Sequence, residues 1–202
     1  MIDWITAIIP CKHPELIYGG RVTSITPDGE IEWHVEKKKQ VSGSHESNLN
    51  IKSIGLTHLY FDGNPAKWLQ GHNLFGSNDL IGLVQAVLEK LTPVLNLTPS
   101  KIDLIMWRQG VYELKRVDCT AMWELPKRSD VRSWLRAAEF QSKSRHGRPI
   151  TTGSTLYFGK NSRRWSIKFY SKGDELDAKA KGHKLPLEIQ NRDKLIESPR
   201  LH

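Results

Sequence analysis

An α+β fold is predicted for this chain of 202 residues, with two helices on one face of an antiparallel sheet in the ferredoxin-like manner. Three observations carry the prediction. Short β-branched runs separated by turn signals dominate the first third of the chain. One clear amphipathic helical pattern follows them. A further strand, a second helix and a strand pair then complete the order.

Residues 2–9 are apolar and β-branched-rich and are stopped by Pro10, which predicts a buried strand. Residues 22–25 and 30–36 flank Thr26-Pro27-Asp28-Gly29. Pro27 presets φ and Gly29 supplies a permissive backbone, so this pair forms an extra N-terminal β-hairpin. Lys37, Lys38 and Lys39 make a solvated basic turn, and residues 41–54 alternate loosely as a further strand. Residues 57–61 form a strand closed by Asp62-Gly63-Asn64-Pro65. Leu80, Leu83, Val84, Val87, Leu88 and Leu91 follow the i, i+3, i+4, i+7 rule of a helix capped by Ser77 or Asn78 and stopped near Pro93. Residues 112–123 read as a strand with Leu114, Arg116, Asp118 and Thr120 on one face. Ser129 or Asp130 caps a second helix, with Val131, Leu135 and Ala138 on its apolar stripe. A basic loop over residues 142–153 leads into a hairpin of residues 155–158 and 165–170 around Lys160-Asn161-Ser162-Arg163. Residues 178–187 read as linker and residues 192–202 as the start of another helix.

Hydrophobic residues make up 38% of the chain and charged ones 26%, a balance that suits a globular protein rather than a disordered one. No apolar run reaches the roughly 18–20 residues of a membrane span, and residues 1–10 lack the basic start of a signal peptide. A cytoplasmic protein is expected. Cys11 and Cys119 are far apart and show no metal-ligand spacing, so both are expected reduced. The net charge of +8 favours a polyanionic partner. Residues 128–172 concentrate it, with eleven Lys and Arg against Asp130 and Glu139 alone. Seven tryptophans serve either the core or as stacking platforms for unpaired bases.

The segment Asn64-Pro65-Ala66-Lys67-Trp68-Leu69-Gln70-Gly71-His72-Asn73-Leu74-Phe75-Gly76, continued by Asp79-Leu80, closely resembles a stretch of the filamentous-phage gene II/X replication initiators. Met1-Ile2-Asp3 and Lys115-Arg116-Val117-Asp118-Cys119-Thr120 resemble the same family, and Tyr170-Ser171-Lys172 is similar to the tyrosine-x-lysine segment of plasmid rolling-circle initiators. The resemblance implies a single-strand-specific nicking and joining enzyme of the HUH-endonuclease group. Such an enzyme acts at a replication origin in the bacterial host, uses Mg²⁺ or Mn²⁺, and stays attached through a 5′-phosphotyrosine. Its partners would be single-stranded origin DNA and a host helicase or replisome. Residues 1–176 would form the nicking domain, and residues 177–202 a linker into a C-terminal region.

On this resemblance Tyr170 is the nucleophile and Lys172 its electrostatic partner, with Tyr157 the rival nucleophile on the neighbouring strand. Asp118 is a metal ligand, or else one half of an ion pair with Arg116. His58 is a second candidate ligand, although His58-Leu59-Tyr60 carries one histidine where the group's motif has two. His72 completes the metal site, binds phosphate at a helix start, or folds its own loop. Arg116, Arg145, Arg148, Lys160, Arg163, Arg164 and Lys168, with Lys143, form the expected DNA track, and Trp165 and Trp68 are candidate base platforms. Two other readings stand beside this one: a non-catalytic single-stranded DNA-binding or regulatory module, which would tolerate phenylalanine at position 170, and an RNA-binding domain.

Overall fold

A computed structural model describes residues 1–43, 47–145, 147–177 and 199–202. The chain divides into two compact units, Met1–Cys119 and Thr120–His202.

The first unit is built on a strand that the sequence makes apolar on both sides, β1 (Ile2–Pro10). The hairpin β2 (Arg21–Ile25) and β3 (Ile31–Glu36) follows it as a separate two-stranded ribbon. Next come β4 (Lys39–Ser42), β5 (Asn48–Ile54) and β6 (His58–Gly63). Three helices, α1 (Pro65–Gln70), α2 (Leu80–Val94) and α3 (Lys101–Gln109), precede β7 (Glu113–Cys119). The main sheet runs β4-β5-β6-β1-β7 with every pairing antiparallel. Ile5, Ala7 and Ile9 of β1, Leu49 and Ile51 of β5, and Leu59 and Phe61 of β6 join one buried cluster with Val84, Val87, Leu88 and Leu91 of α2. Trp68 of α1 and Trp107 of α3 complete it.

In the second unit β8 (Trp123–Glu124) pairs with β12 (Arg200–Leu201), and α4 (Arg128–Gln141) follows β8. A three-stranded antiparallel sheet, ordered β11-β10-β9, holds β9 (Ile150–Thr152), β10 (Thr155–Phe158) and β11 (Ile167–Tyr170), and α5 (Lys172–Asp177) leaves its end. By register Leu156, Phe158 and Phe169 share one face of this sheet. The Phe169 ring centroid lies 5.2 Å from that of Trp134 on α4 and 6.4 Å from that of Trp123 on β8.

The α+β class and the antiparallel pairing match the expectation, as do β1, the β2–β3 hairpin and the apolar stripes of α2 and α4, but α4 begins at Arg128, so Ser129 and Asp130 lie in its first turn and Lys127 takes the cap position. Several boundaries differ. Residues 41–54 are not one strand, because the chain turns back between β4 and β5. Asp79 rather than Ser77 or Asn78 caps α2, its carboxylate accepting from the Gly82 amide at 2.8 Å. Pro93 lies inside the last turn of α2. The helix around Val131 belongs to the second unit, and α1 and α3 were not anticipated. With six and nine residues, each is too short to display a repeating apolar stripe. The expectations for residues 178–187 and 192–198 fall outside the described residues, while Arg200–Leu201, expected to lie in a helix, form the strand β12 because they pair with β8.

Charge separates between the units. Met1–Cys119 carries 12 Lys and Arg against 13 Asp and Glu, and Thr120–His202 carries 18 against 9.

Candidate functional site

The helix-free face of the main sheet is polar. His58, Tyr60 and Asp62 alternate with the buried Leu59 and Phe61 on β6, and therefore project from that face together. Across the sheet Asp62 lies opposite Thr6, and Thr6 opposite Arg116. The Asp62 carboxylate accepts from the Trp4 indole at 3.0 Å, the Thr6 hydroxyl at 2.8 Å and the Lys38 ammonium at 3.0 Å. Burial pushes its pKa up, but these three donors and the Lys38 charge outweigh that and hold it below the usual carboxylate range. The Lys38 ammonium also sits 4.4 Å from the Tyr60 ring centroid.

On the neighbouring strand Arg116 grips Asp118 through two bonds, 2.7 Å from Nε and 2.5 Å from Nη2. That bond and the Asp118 charge raise the guanidinium pKa. Arg116 also lies 5.9 Å from the Trp4 ring centroid. His58 stands at the far end of β6, exposed, with Nδ1 3.0 Å from the Thr57 hydroxyl. Asp62 and Lys38 were passed over in the sequence as a turn residue and a solvated lysine. The readable signal was the alternation of His58, Tyr60 and Asp62 on one strand.

The loop that carries the resemblance is tied to β1. Asp3 accepts from the side-chain amides of Asn64 at 2.7 Å and Asn73 at 3.0 Å. Asn64 in turn caps α1 by accepting from the Lys67 amide at 2.7 Å. Gly71 ends the helix at φ 85°, a conformation only glycine takes without strain. His72 lies beyond it, edge-on to Phe75 with ring centroids 6.2 Å apart and with Nδ1 3.4 Å from the Gln70 amide nitrogen. Trp68 is no base platform. It is 1% exposed, its indole donates to the Val41 carbonyl at 3.0 Å, and a Cβ on Gly43 would collide with its ring at 2.3 Å.

In the second unit Tyr170 ends β11. Register puts it on the face opposite Phe169, together with Lys168 and Tyr157, and Tyr157 sits directly across from Lys168. Lys160 reaches over the Tyr157 ring, 5.4 Å from its centroid, and donates to the Thr152 hydroxyl at 2.6 Å. The main chain of Tyr170 exchanges two hydrogen bonds with His202, at 2.8 and 2.9 Å. Alternation does not carry on to Lys172, because β11 stops and Lys172 opens α5. Its ammonium is buried and bound to Glu175 at 2.7 Å. Arg145, Arg148, Arg163 and Arg164 are exposed around the β9 and β10–β11 loops, and Trp165 is 39% exposed against Gly159. The loop ahead of β9 is closed by the Ser144 and Gly147 main chains, which donate to each other at 2.8 and 3.1 Å.

Among the described residues no three His, Cys, Asp or Glu side chains gather as metal ligands. Asp118 has both oxygens engaged by Arg116, His58 is at a strand end and His72 is in the α1 loop. As they stand these groups do not form a metal site.

The whole chain, residues 1–202, matches the family model for the N-terminal part of the phage replication-associated protein encoded by gene II. It is 52% identical over 196 residues to the replication-associated gene II protein of Enterobacteria phage I2-2. That alignment takes in 94% of this chain and 57% of the relative, so the chain spans a little over half the length of the protein it matches. No solved structure matches.

Proposed function

Since the chain belongs to the family of gene II-type replication-associated proteins, as their N-terminal part, we propose that it initiates rolling-circle replication by nicking and rejoining single-stranded origin DNA. The family match over the full chain carries this reading. The arrangement around Tyr170 supports it: a strand-end phenol shares a sheet face with Lys168 and Tyr157, in the unit that holds the positive charge.

In the proposed step the Tyr170 hydroxyl gives up its proton to water and its oxygen attacks the scissile phosphorus. The Oη–P bond forms as the P–O3′ bond breaks, and the leaving 3′ oxygen takes up a proton. The phosphotyrosine keeps the energy of the broken linkage, so the reverse attack by a 3′-hydroxyl reseals the strand. Lys168, Lys160 and the arginines of the two basic loops hold the phosphates. Lys172 supports α5 through Glu175 rather than touching the strand. A ferredoxin-like, HUH-type relationship, a need for Mg²⁺ or Mn²⁺, recruitment of a host helicase and action in the host cytoplasm belong to the same proposal. For Asp118 to become a metal ligand, Arg116 would first have to release it.

The test is incubation with single-stranded origin DNA in Mg²⁺, Mn²⁺ or EDTA, with adducts read by denaturing gel and mass spectrometry. The expected outcome is a covalent adduct at Tyr170 that Tyr170→Phe abolishes. Tight binding without an adduct in any metal would turn the chain into a binding module. An adduct on Tyr157 would move the nucleophile to β10.

A further inference from the structure

A cavity of about 640 Å³ opens on the α4 side of the three-stranded sheet. Leu156 forms part of its wall, and Leu156 alternates with Tyr157. The cavity therefore lies on the reverse of the face that Tyr170 and Tyr157 share, and the proposed nucleophile does not use it. Its volume falls within the range of pockets that take small molecules.

The lining is chemically divided. Arg132, Arg136 and Glu139 project into it from α4, and Thr151 and Ser154 bring hydroxyls from β9 and the β9–β10 turn. Leu135 and Leu156 supply apolar surface. Arg132 is already committed to Asp174, at 2.7 and 3.2 Å, and Asp174 also binds Arg128 at 2.7 and 3.1 Å. Arg136 and Glu139 are different. They are three residues apart on one helix and line one cavity, yet among the described residues neither is in an ion pair. A ligand that suits these walls has an anionic end for Arg136, a flat body for the leucines and an N–H donor for Glu139, whose carboxylate only accepts. A nucleotide with an exocyclic amino group meets all three requirements.

We propose that this cavity is a nucleotide pocket that takes one unit of a single DNA strand, with its phosphate on Arg136 and an amino-bearing base on Glu139. A carboxylate accepts from the amino group of cytosine, whereas thymine presents two carbonyl oxygens beside its N–H. The pocket thus favours cytosine or adenine over thymine. That the occupant belongs to a strand rests on the reading of the protein as a DNA-processing enzyme. The pocket itself does not depend on Tyr170.

The experiment titrates the 202-residue protein with dCMP, dTMP and a short deoxycytidine oligomer, following NMR shifts of Thr151, Ser154 and Leu156. The inference expects dCMP to shift these residues and the oligomer to displace it, with dTMP at least about tenfold weaker. Arg136→Gln should weaken dCMP by about tenfold or more, the size expected for a lost charge-assisted hydrogen bond. Glu139→Gln should abolish the preference for cytosine. Both positions are at the surface, and unchanged melting temperatures confirm folded variants. Unaltered dCMP binding in Arg136→Gln, or no shift at the three reporters, overturns the pocket. Displacement failing with the oligomer overturns the strand assignment. A Tyr170 adduct formed without dCMP binding sinks the pocket alone, and dCMP binding without any adduct sinks the nicking reaction alone.

Discussion

At the scale of single residues, partners decide what a side chain can do. Asp62 is the clearest case, because three donors converge on one carboxylate at the centre of a polar sheet face. Asp62→Asn keeps the shape but replaces one acceptor oxygen with a donor, leaving a donor facing a donor. It should lower the stability of the first unit by about 1–3 kcal/mol in urea unfolding. The two cysteines make a second case. Cys11 is fully buried, and burial, with the Asp103 charge, pushes its thiol up to about 12, while Cys119 is exposed. Mass spectrometry after iodoacetamide at pH 8 should find Cys119 alkylated and Cys11 unmodified in the native protein, with both modified in denaturant. Sequence spacing alone did not distinguish the two cysteines. The pairing of Arg116 with Asp118 was one of the two readings their shared strand face allowed, and the fold shows that they bind each other.

At the scale of elements, what could be read was what repeats. The apolar run of β1, the Pro-Asp-Gly turn of the hairpin and the periodic leucines of α2 are all local signals. The hidden elements depend on distant partners. α1 is fixed by Asn64 at its start and by Trp68, which bonds to β4 at Val41. α3 is fixed by the Ser100–Asp103 capping box and by Trp107, whose indole donates to the Pro10 carbonyl at 2.6 Å. The link between α4 and α5 was equally invisible, since it joins residues more than 40 positions apart. Asp174 receives Arg128 and Arg132 there. Burial raises its pKa, but the bonds and charges of Arg132 and Arg128 outweigh that and leave it below the ordinary value. A carboxylate with a lowered folded-state pKa stabilises fully above its unfolded value of about 3.9, and loses that contribution as pH falls through the folded value. Thermal melts should therefore show the second unit weakening as the pH drops below about 5, and Asp174→Asn should flatten that dependence.

Over the whole molecule the α+β class and antiparallel pairing were readable, whereas the division after Cys119 was not, because no proline-rich or glycine-rich linker marks it. The candidate site was readable to a similar degree. Residues 128–172 stood out by composition, and that segment lies wholly in the unit that carries the excess charge. Affinity for single-stranded DNA should fall steeply with salt. Removing Arg163 and Arg164 together should reduce the slope of log K against log salt by about 1.4, near 0.7 per contact on a single strand. The corresponding change at Lys12 and Lys52 in the first unit should leave the slope unchanged.

The position of β1 bears on how the protein is made. It is synthesised before both of the strands that flank it, yet it is an interior strand of its sheet, and its two neighbours are residues 58–63 and 113–119. During synthesis an apolar segment of nine residues must wait for one edge to be covered and then, some fifty residues later, for the other. At about 5–20 residues per second that delay lasts several seconds, during which a sticky strand is exposed to the crowded cell. Aggregation that rises with protein concentration is the expected outcome for chains halted before residues 113–119 are made, and light scattering of chains truncated there checks it.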